Sequence, residues 1–242
     1  REAALARLRE QRLEPVALSA AELELYYDGY CNAVIWPLFH YLPAQLPLEI
    51  RSFGEYRRVN ERFAEAVVEH YRDGDLIWIH DYQLMLVPEL VRKRLPCARI
   101  GFFLHIPFPS SELFRTLPER DAILAGLLGA DLIGFHTTAY LRNFASALLR
   151  SLGVSTEIDR LTWRGRSIRL GCFGMGIDAR GFDALARDPS VLERAREVRG
   201  DSDTKILLGI DRLDYTKGVP RRLLAFERLL ETHPELRGKV RL

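Results

Sequence analysis

Cysteine is scarce: the 242 residues hold three, Cys31, Cys97 and Cys172. Odd in number and far apart, they provide neither a disulfide framework nor the Cys-x-x-Cys spacing of a zinc site, and free thiols fit a reducing compartment, the cytoplasm. Charge of one sign is scarce too. Lys and Arg number 35 against 33 Asp and Glu, for a net charge of +2. That is too little to attract nucleic acid or a membrane surface, so any anion must be held by a few placed residues. No apolar run approaches the ~20 residues of a membrane span, and Arg1–Leu5 lacks the apolar core of a signal peptide. The chain has no initiator methionine, and Lys239–Leu242 has the pattern of an opening strand, so both ends are expected to be cut. Gly171, Gly174 and Gly176 miss the Gly-x-Gly-x-x-Gly dinucleotide spacing, and Ser110 and Ser111 have no Gly-x-Ser-x-Gly context for a hydrolase elbow. Repeats and low-complexity stretches are absent.

What is present is an α/β pattern. With 48% hydrophobic and 28% charged residues the chain can bury a core. Asp75–Tyr82, Arg99–Pro109 and Asp131–His136 are short apolar runs rich in β-branched and aromatic residues, separated by stretches long enough for helices. They predict a βαβαβ unit. Its crossover helices run over Pro88–Arg94 and from Ser110–Glu112 towards Leu128. Ahead of this unit, residues 2–11 are helical in composition, Pro15–Leu18 is strand-like, and Ser19 with Glu22 makes a capping box. Tyr26–Tyr41 carries six aromatics and a histidine without clean periodicity, which suggests a core loop or the aromatic wall of a sugar site. Asn60–Tyr71 places Phe63, Val67 and Tyr71 on one helical face before the Asp73-Gly74 turn.

After the unit, Thr138–Leu152 puts Leu141, Phe144, Ala145, Leu148, Leu149 and Leu152 on one face of an amphipathic helix. Val154–Ile158 and Ser167–Phe173 are strand candidates joined around Arg164-Gly165. Arg180–Gly200 is charged and helical and joins two domains. Thr204–Ile210 then begins a new strand, and Asp211–Gly218 is a polar turn into a helix carrying Leu223, Leu224, Phe226, Leu229 and Leu230. So short a second domain cannot bury a core of its own.

Polar side chains gather at the strand ends: His80 and Asp81, His105, then His136 and Thr137. In open parallel sheets ligands bind outside these carboxyl ends. Three imidazoles could ligate zinc, but no His-x-x-x-His pair supports it, and hydrogen bonding to a polar ligand is the better functional reading. A satisfied core histidine is the alternative for His136. Asp81 could accept hydrogen bonds from sugar hydroxyls or act as a base, or cap the helix beginning near Tyr82. Arg212 and Lys217, in a strand-to-helix turn, would meet a phosphate together with helix N-terminal amides. Otherwise they are solvated charges pairing with Asp211 and Asp214, which do not form a metal-binding Asp-x-Asp.

Four segments carry a resemblance: Tyr26–Tyr41, Trp-Ile-His-Asp-Tyr-Gln-Leu at 78–84, Phe-Leu-His-Ile-Pro-Phe-Pro-Ser at 103–110, and Gly-Ile-Asp-Arg-Leu-Asp-Tyr-Thr-Lys-Gly at 209–218. In this order they resemble the motifs of trehalose-6-phosphate synthases, retaining glycosyltransferases of the GT-B fold (glycosyltransferase family 20). The resemblance runs from about Arg7 to the end. It implies a Rossmann-like N-terminal, acceptor-binding domain with a mostly parallel sheet over 1–180, an interdomain segment over 181–203, and the first βα unit of a second Rossmann-like, nucleotide-sugar domain over 204–242. It implies transfer of glucose from UDP-glucose to glucose 6-phosphate, without a metal ion or other cofactor. Tyr27, Trp36 and Asp81 would bind glucose 6-phosphate, His105 the donor glucose, and Arg212 and Lys217 the UDP diphosphate, with His105, Arg212 and Lys217 closest to the chemistry. No enzyme nucleophile is implied.

Gly174 stands where the family usually has proline, and Asp28, Tyr30 and Cys31 where Asn, Phe and Ser are common. The family's glycine-rich loop would precede Arg1 and its uridine-holding residues would follow Leu242, so this fragment alone is expected to be inactive. Two alternatives stay open: a synthase using glycerol 3-phosphate, and a non-catalytic sugar-phosphate-binding subunit. A homo-oligomer and a phosphatase fused in the longer parent are also left open.

Overall fold

Alternating burial organises the central sheet. Along β1 (Leu76–His80) Ile77 and Ile79 are buried while Leu76, Trp78 and His80 are exposed. The register of β1, β2 (Arg99–Phe103), β3 (Leu132–Phe135) and β5 (Arg166–Cys172) lines up Ile79, Phe102, Ile133 and Leu170 across four parallel strands. Because side chains alternate along a strand, that row and its neighbours all enter one core. The structure is a computed structural model that describes residues 7, 8, 10–200 and 204–242. Its sheet has the order β1-β2-β3-β5-β4, with β4 (Arg160–Trp163) antiparallel at one edge. This is the predicted βαβαβ unit in an α/β fold with a mostly parallel sheet. The opposite face bears Leu76, Trp78, Leu132 and Phe173, all at least 37% exposed.

The helices follow the sequence where its punctuation is strong. Ser19 and Glu22 close the capping box on the helix Ala20–Leu23, each accepting the other's backbone N–H, at 3.2 and 2.7 Å. Val87–Arg94 forms the first crossover, and Thr138–Leu152 runs from a Thr137 cap to Gly153, whose φ of 68° ends it. Its buried face carries Phe144, Ala147 and Leu148, and Leu149 is 55% exposed instead, because it lies a residue beyond the stripe.

Five expectations are corrected. Tyr26–Tyr41 is not a loop: Glu24–Ile35 is a π-helix that continues into the α-helix Trp36–Phe39. Hydrogen bonds from residue i+5 to i shift the buried positions to Tyr26, Tyr30, Val34 and Phe39, four and five apart, so no pattern of period 3.6 or 2 was there to find. Pro15–Leu18 forms no strand, having no paired partner among the described residues. The helix from Ser111 breaks into Ser111–Phe114 and Arg120–Leu127 around Pro118, which supplies no N–H. Val154–Ile158 is not the strand; the tight turn at Arg164 and Gly165, with φ of 48° and 76°, pairs Trp163 with Arg166 and so starts β4 at Arg160. The second-unit strand is shorter than expected, Lys205–Ile206, and pairs in parallel with Val240–Arg241. Of the helix expected over 2–11, residues 2–6 and 9 lie outside the described residues, while 7, 8 and 10 are helical.

The chain divides into two compact units, Arg1–Met175 and Gly176–Leu242. The charged stretch after Asp178 consists of the helices Ala179–Leu185 and Pro189–Arg199 in the second unit. No helix of the described residues is long and apolar enough to cross a membrane.

Candidate functional site

The ends of β1 and β2 meet at Asp81. Its N–H donates to the Phe103 carbonyl at 2.8 Å, which carries the parallel ladder one residue past β1. Its carboxylate Oδ1 accepts the His105 N–H at 3.1 Å. The side chain does not cap the turn Tyr82–Leu84, so it is held beside the second strand end instead of being spent on a helix start. To reach this position the backbone adopts φ 70° and ψ 174°, a region that is essentially restricted to glycine.

The histidines form a cluster above the sheet. His80 Nδ1 lies 2.9 Å from His105 Nε2, so one ring donates and the other accepts. The His105 and His136 rings are 5.6 Å apart, edge to face, with Phe103 packed against both. Gly134 leaves the space for that ring, since a Cβ there would come within 2.6 Å of Phe103. Partial burial lowers the His105 pKa below its usual 6.5; Asp81 opposes the shift, and His80 and His136 add to it. Neutral imidazole therefore dominates at neutral pH, able to donate from one nitrogen and accept at the other. His136 is no satisfied core histidine, because its Nδ1 is buried without a partner. Among the described residues no three His, Cys, Asp or Glu side chains are grouped to hold a metal ion.

Aromatic residues border this centre. Trp36 lies 5.6 Å from the Tyr82 ring and 4.1 Å from His40, with its Nε1 buried and unpartnered. Tyr82 in turn donates its hydroxyl to Asn32 Oδ1 at 3.0 Å. Trp36 is thus brought beside the residue that follows Asp81. Tyr27 is exposed on the π-helix, and no hydrogen bond or ring contact joins it to Asp81. The loop after β2 is fixed by Tyr41, whose hydroxyl accepts the Ser110 N–H at 2.8 Å, and by Asn143, which donates to the Phe108 carbonyl at 2.9 Å.

In the second unit, Arg212 precedes the turn Tyr215–Lys217 and Lys217 ends it, and Gly218 takes φ 64° before the helix Val219–Thr232. Asp211 pairs with Arg222. Asp214 accepts from the Thr216 N–H and hydroxyl at 2.8 and 2.6 Å. Partial burial works to raise its pKa, yet these bonds and the nearby Arg212 and Lys217 charges hold it below the carboxylate range. Among the described residues Arg212 and Lys217 make no salt bridge, so both expected pairings with Asp211 and Asp214 are replaced by other partners.

Sequence reading missed Tyr56, Asn60 and Tyr82, all buried under the Asp81 turn. The signal for Asn60 was available: a polar residue on the buried stripe of the helix Phe53–His70, beside Tyr56, Val59 and Ala64.

Comparison with known proteins identifies the family. A bifunctional trehalose-6-phosphate synthase/phosphatase of Thermoproteus tenax is 48% identical over 239 residues, 97% of this chain and 32% of that protein. An alpha,alpha-trehalose-phosphate synthase (UDP-forming) of Burkholderia xenovorans, solved in complex with glucose-6-phosphate, matches with TM-score 0.83 and 34% identity over 93% of this chain and 50% of that one. An E. coli structure described as trehalose-6-phosphate bound with UDP-2-fluoro glucose matches with TM-score 0.83 and 36% identity, covering 93% and 50%. The chain therefore spans about a third to a half of the length of these relatives. The model of glycosyltransferase family 20 matches residues 3–242, and the chain belongs to that family.

Proposed function

We propose that the intact protein transfers glucose from UDP-glucose to glucose 6-phosphate with retention, giving alpha,alpha-trehalose 6-phosphate and UDP. The observation that carries this reading is the convergence of Asp81 and His105 at the ends of two parallel strands, with Trp36 packed on the adjoining Tyr82 ring. It occurs in a family whose solved members include complexes with glucose-6-phosphate and with UDP-2-fluoro glucose. Asp81 accepts hydroxyl hydrogens of the acceptor sugar, while Tyr27 and Trp36 supply apolar faces for its ring. His105, neutral at working pH, donates to a hydroxyl of the donor glucose. Arg212 and Lys217 hold the diphosphate.

No carboxylate is needed as nucleophile. The acceptor's anomeric oxygen attacks the donor C1 on the face from which UDP departs, the C1–O bond to phosphate breaks, and the departing phosphate oxygen takes the acceptor's proton. Two cations at that phosphate stabilise the charge that develops as the bond breaks. The reaction belongs in the cytoplasm, in keeping with three free thiols. A fused phosphatase, as the Thermoproteus relative's description indicates for that protein, would act on the product.

The test follows UDP release by the intact protein given UDP-glucose and a panel of acceptors. Release with glucose 6-phosphate is expected. Release only with glycerol 3-phosphate would replace the acceptor, and binding of sugar phosphate without any release would leave a non-catalytic subunit.

A further inference from the structure

The backbone strain at Asp81 does not hold itself, and the segment that follows it is pinned from below. Four backbone groups between Tyr82 and Leu86 bond to buried side chains of one helix, Phe53–His70. Tyr56 donates its hydroxyl to the Tyr82 carbonyl at 2.7 Å and accepts the Met85 N–H at 3.1 Å. Asn60 donates to the Gln83 carbonyl at 3.0 Å and accepts the Leu86 N–H at 3.1 Å. The second Asn60 amide hydrogen goes to the Tyr56 carbonyl at 2.8 Å, so both residues are locked to their own helix. Tyr26 adds a hydroxyl to the Gln83 carbonyl at 3.1 Å.

Tyr56 and Asn60 are both 0% exposed. The Tyr56 ring is fixed by Tyr30 at 4.7 Å and Tyr26 at 5.9 Å. Burial raises the Tyr56 pKa well above the usual phenol value, so the hydroxyl keeps the proton it donates. A strained residue persists only where its surroundings over-determine it, and here the turn immediately beyond Asp81 is determined at four points.

We infer that Tyr56 and Asn60 are positioning residues that hold Asp81 in its glycine-only conformation, and so aim its carboxylate. The inference rests on the reading of Asp81 as the acceptor-binding group. The competing role is structural: Met85 and Leu86 contribute N–H groups at the start of the helix Val87–Arg94, which Tyr56 and Asn60 would cap whatever residue 81 did.

Tyr56→Phe keeps the ring and removes only the hydroxyl, and Asp81→Gly removes the strain while keeping the N–H bonded to Phe103. Hydrogen exchange of the residue-81 amide in the intact protein separates the two roles. Tyr56→Phe should speed that exchange about tenfold against the β3 amides where residue 81 is Asp, and leave it unchanged where residue 81 is Gly. Equal acceleration in both backgrounds, or none in either, overturns the inference. Calorimetry adds the functional arm: Tyr56→Phe and Asn60→Leu should weaken glucose 6-phosphate binding about tenfold and leave UDP binding unchanged. Equal loss of both ligands overturns it too. Wild-type protein that binds no glucose 6-phosphate would sink the proposed function instead, with the exchange result still deciding this point.

Discussion

Asp81 joins a costly backbone to a useful carboxylate, and the two can be separated by substitution. Asp81→Gly relieves the positive φ and should raise stability in urea by about 1–3 kcal/mol, whereas Asp81→Ala retains the strain and should not. If Asp81 holds the acceptor sugar, both should also lose glucose 6-phosphate affinity. Equal stabilities for the two variants would show that the backbone at residue 81 is not strained. His105 offers a second measurement at this scale. Its folded pKa lies below 6.5, so the unfolded chain takes the proton first. The stability it contributes is therefore present above pH 6.5 and is lost as pH falls from there through the folded value. An NMR titration should give a pKa below 6.5, and Asp81→Asn should lower it further by removing the carboxylate that favours the charged ring. An upward shift in that variant would contradict the contact.

Among elements, a close packing joins the helix Arg120–Leu127 to the turn into Val87–Arg94. A Cβ on Gly126 would stand 2.6 Å from the Met85 carbonyl oxygen and 2.9 Å from the Leu86 Cα, both backbone atoms that no rotamer change can move. Glycine in a helix interior ordinarily costs about 1 kcal/mol relative to alanine. Here the clash decides the sign, and Gly126→Ala should destabilise by about 1–3 kcal/mol despite better helix propensity. A rise in the urea midpoint would disprove the close approach. The same approach seats Met85 and Leu86 over Asn60 and Tyr56, so the glycine supports the turn that carries Asp81. Helix boundaries marked by caps or glycine, such as Ser19 and Gly153, were legible in the chain because their partners lie within a few residues. The π-helix was not. Its period is chosen by burial of Tyr26 and Tyr30 against Tyr56 and Phe53, contacts that local sequence does not encode.

At the scale of the molecule the two units carry different chemistry. The first presents a carboxylate, imidazoles and aromatic rings, the second two cations on the turn before a helix. If the cations hold the diphosphate, Arg212→Ala should weaken UDP binding by about tenfold or more and leave glucose 6-phosphate binding nearly unchanged, as calorimetry on the intact protein would measure. Equal losses would remove this division of labour.

The amino-acid order alone determined the α/β class, the three parallel strands and the polar tips at their ends, because alternation, capping residues and turn glycines act over a few positions. It also marked the four segments by which the family was identified. Only tertiary structure decided that Asp81 faces the His105 amide instead of capping a helix, that His80 and His105 hydrogen-bond to each other, and that Asn60 lies beneath the turn after Asp81. Each of those facts depends on a partner 20 or more residues away, brought within bonding distance by the sheet register and by the burial of one long helix.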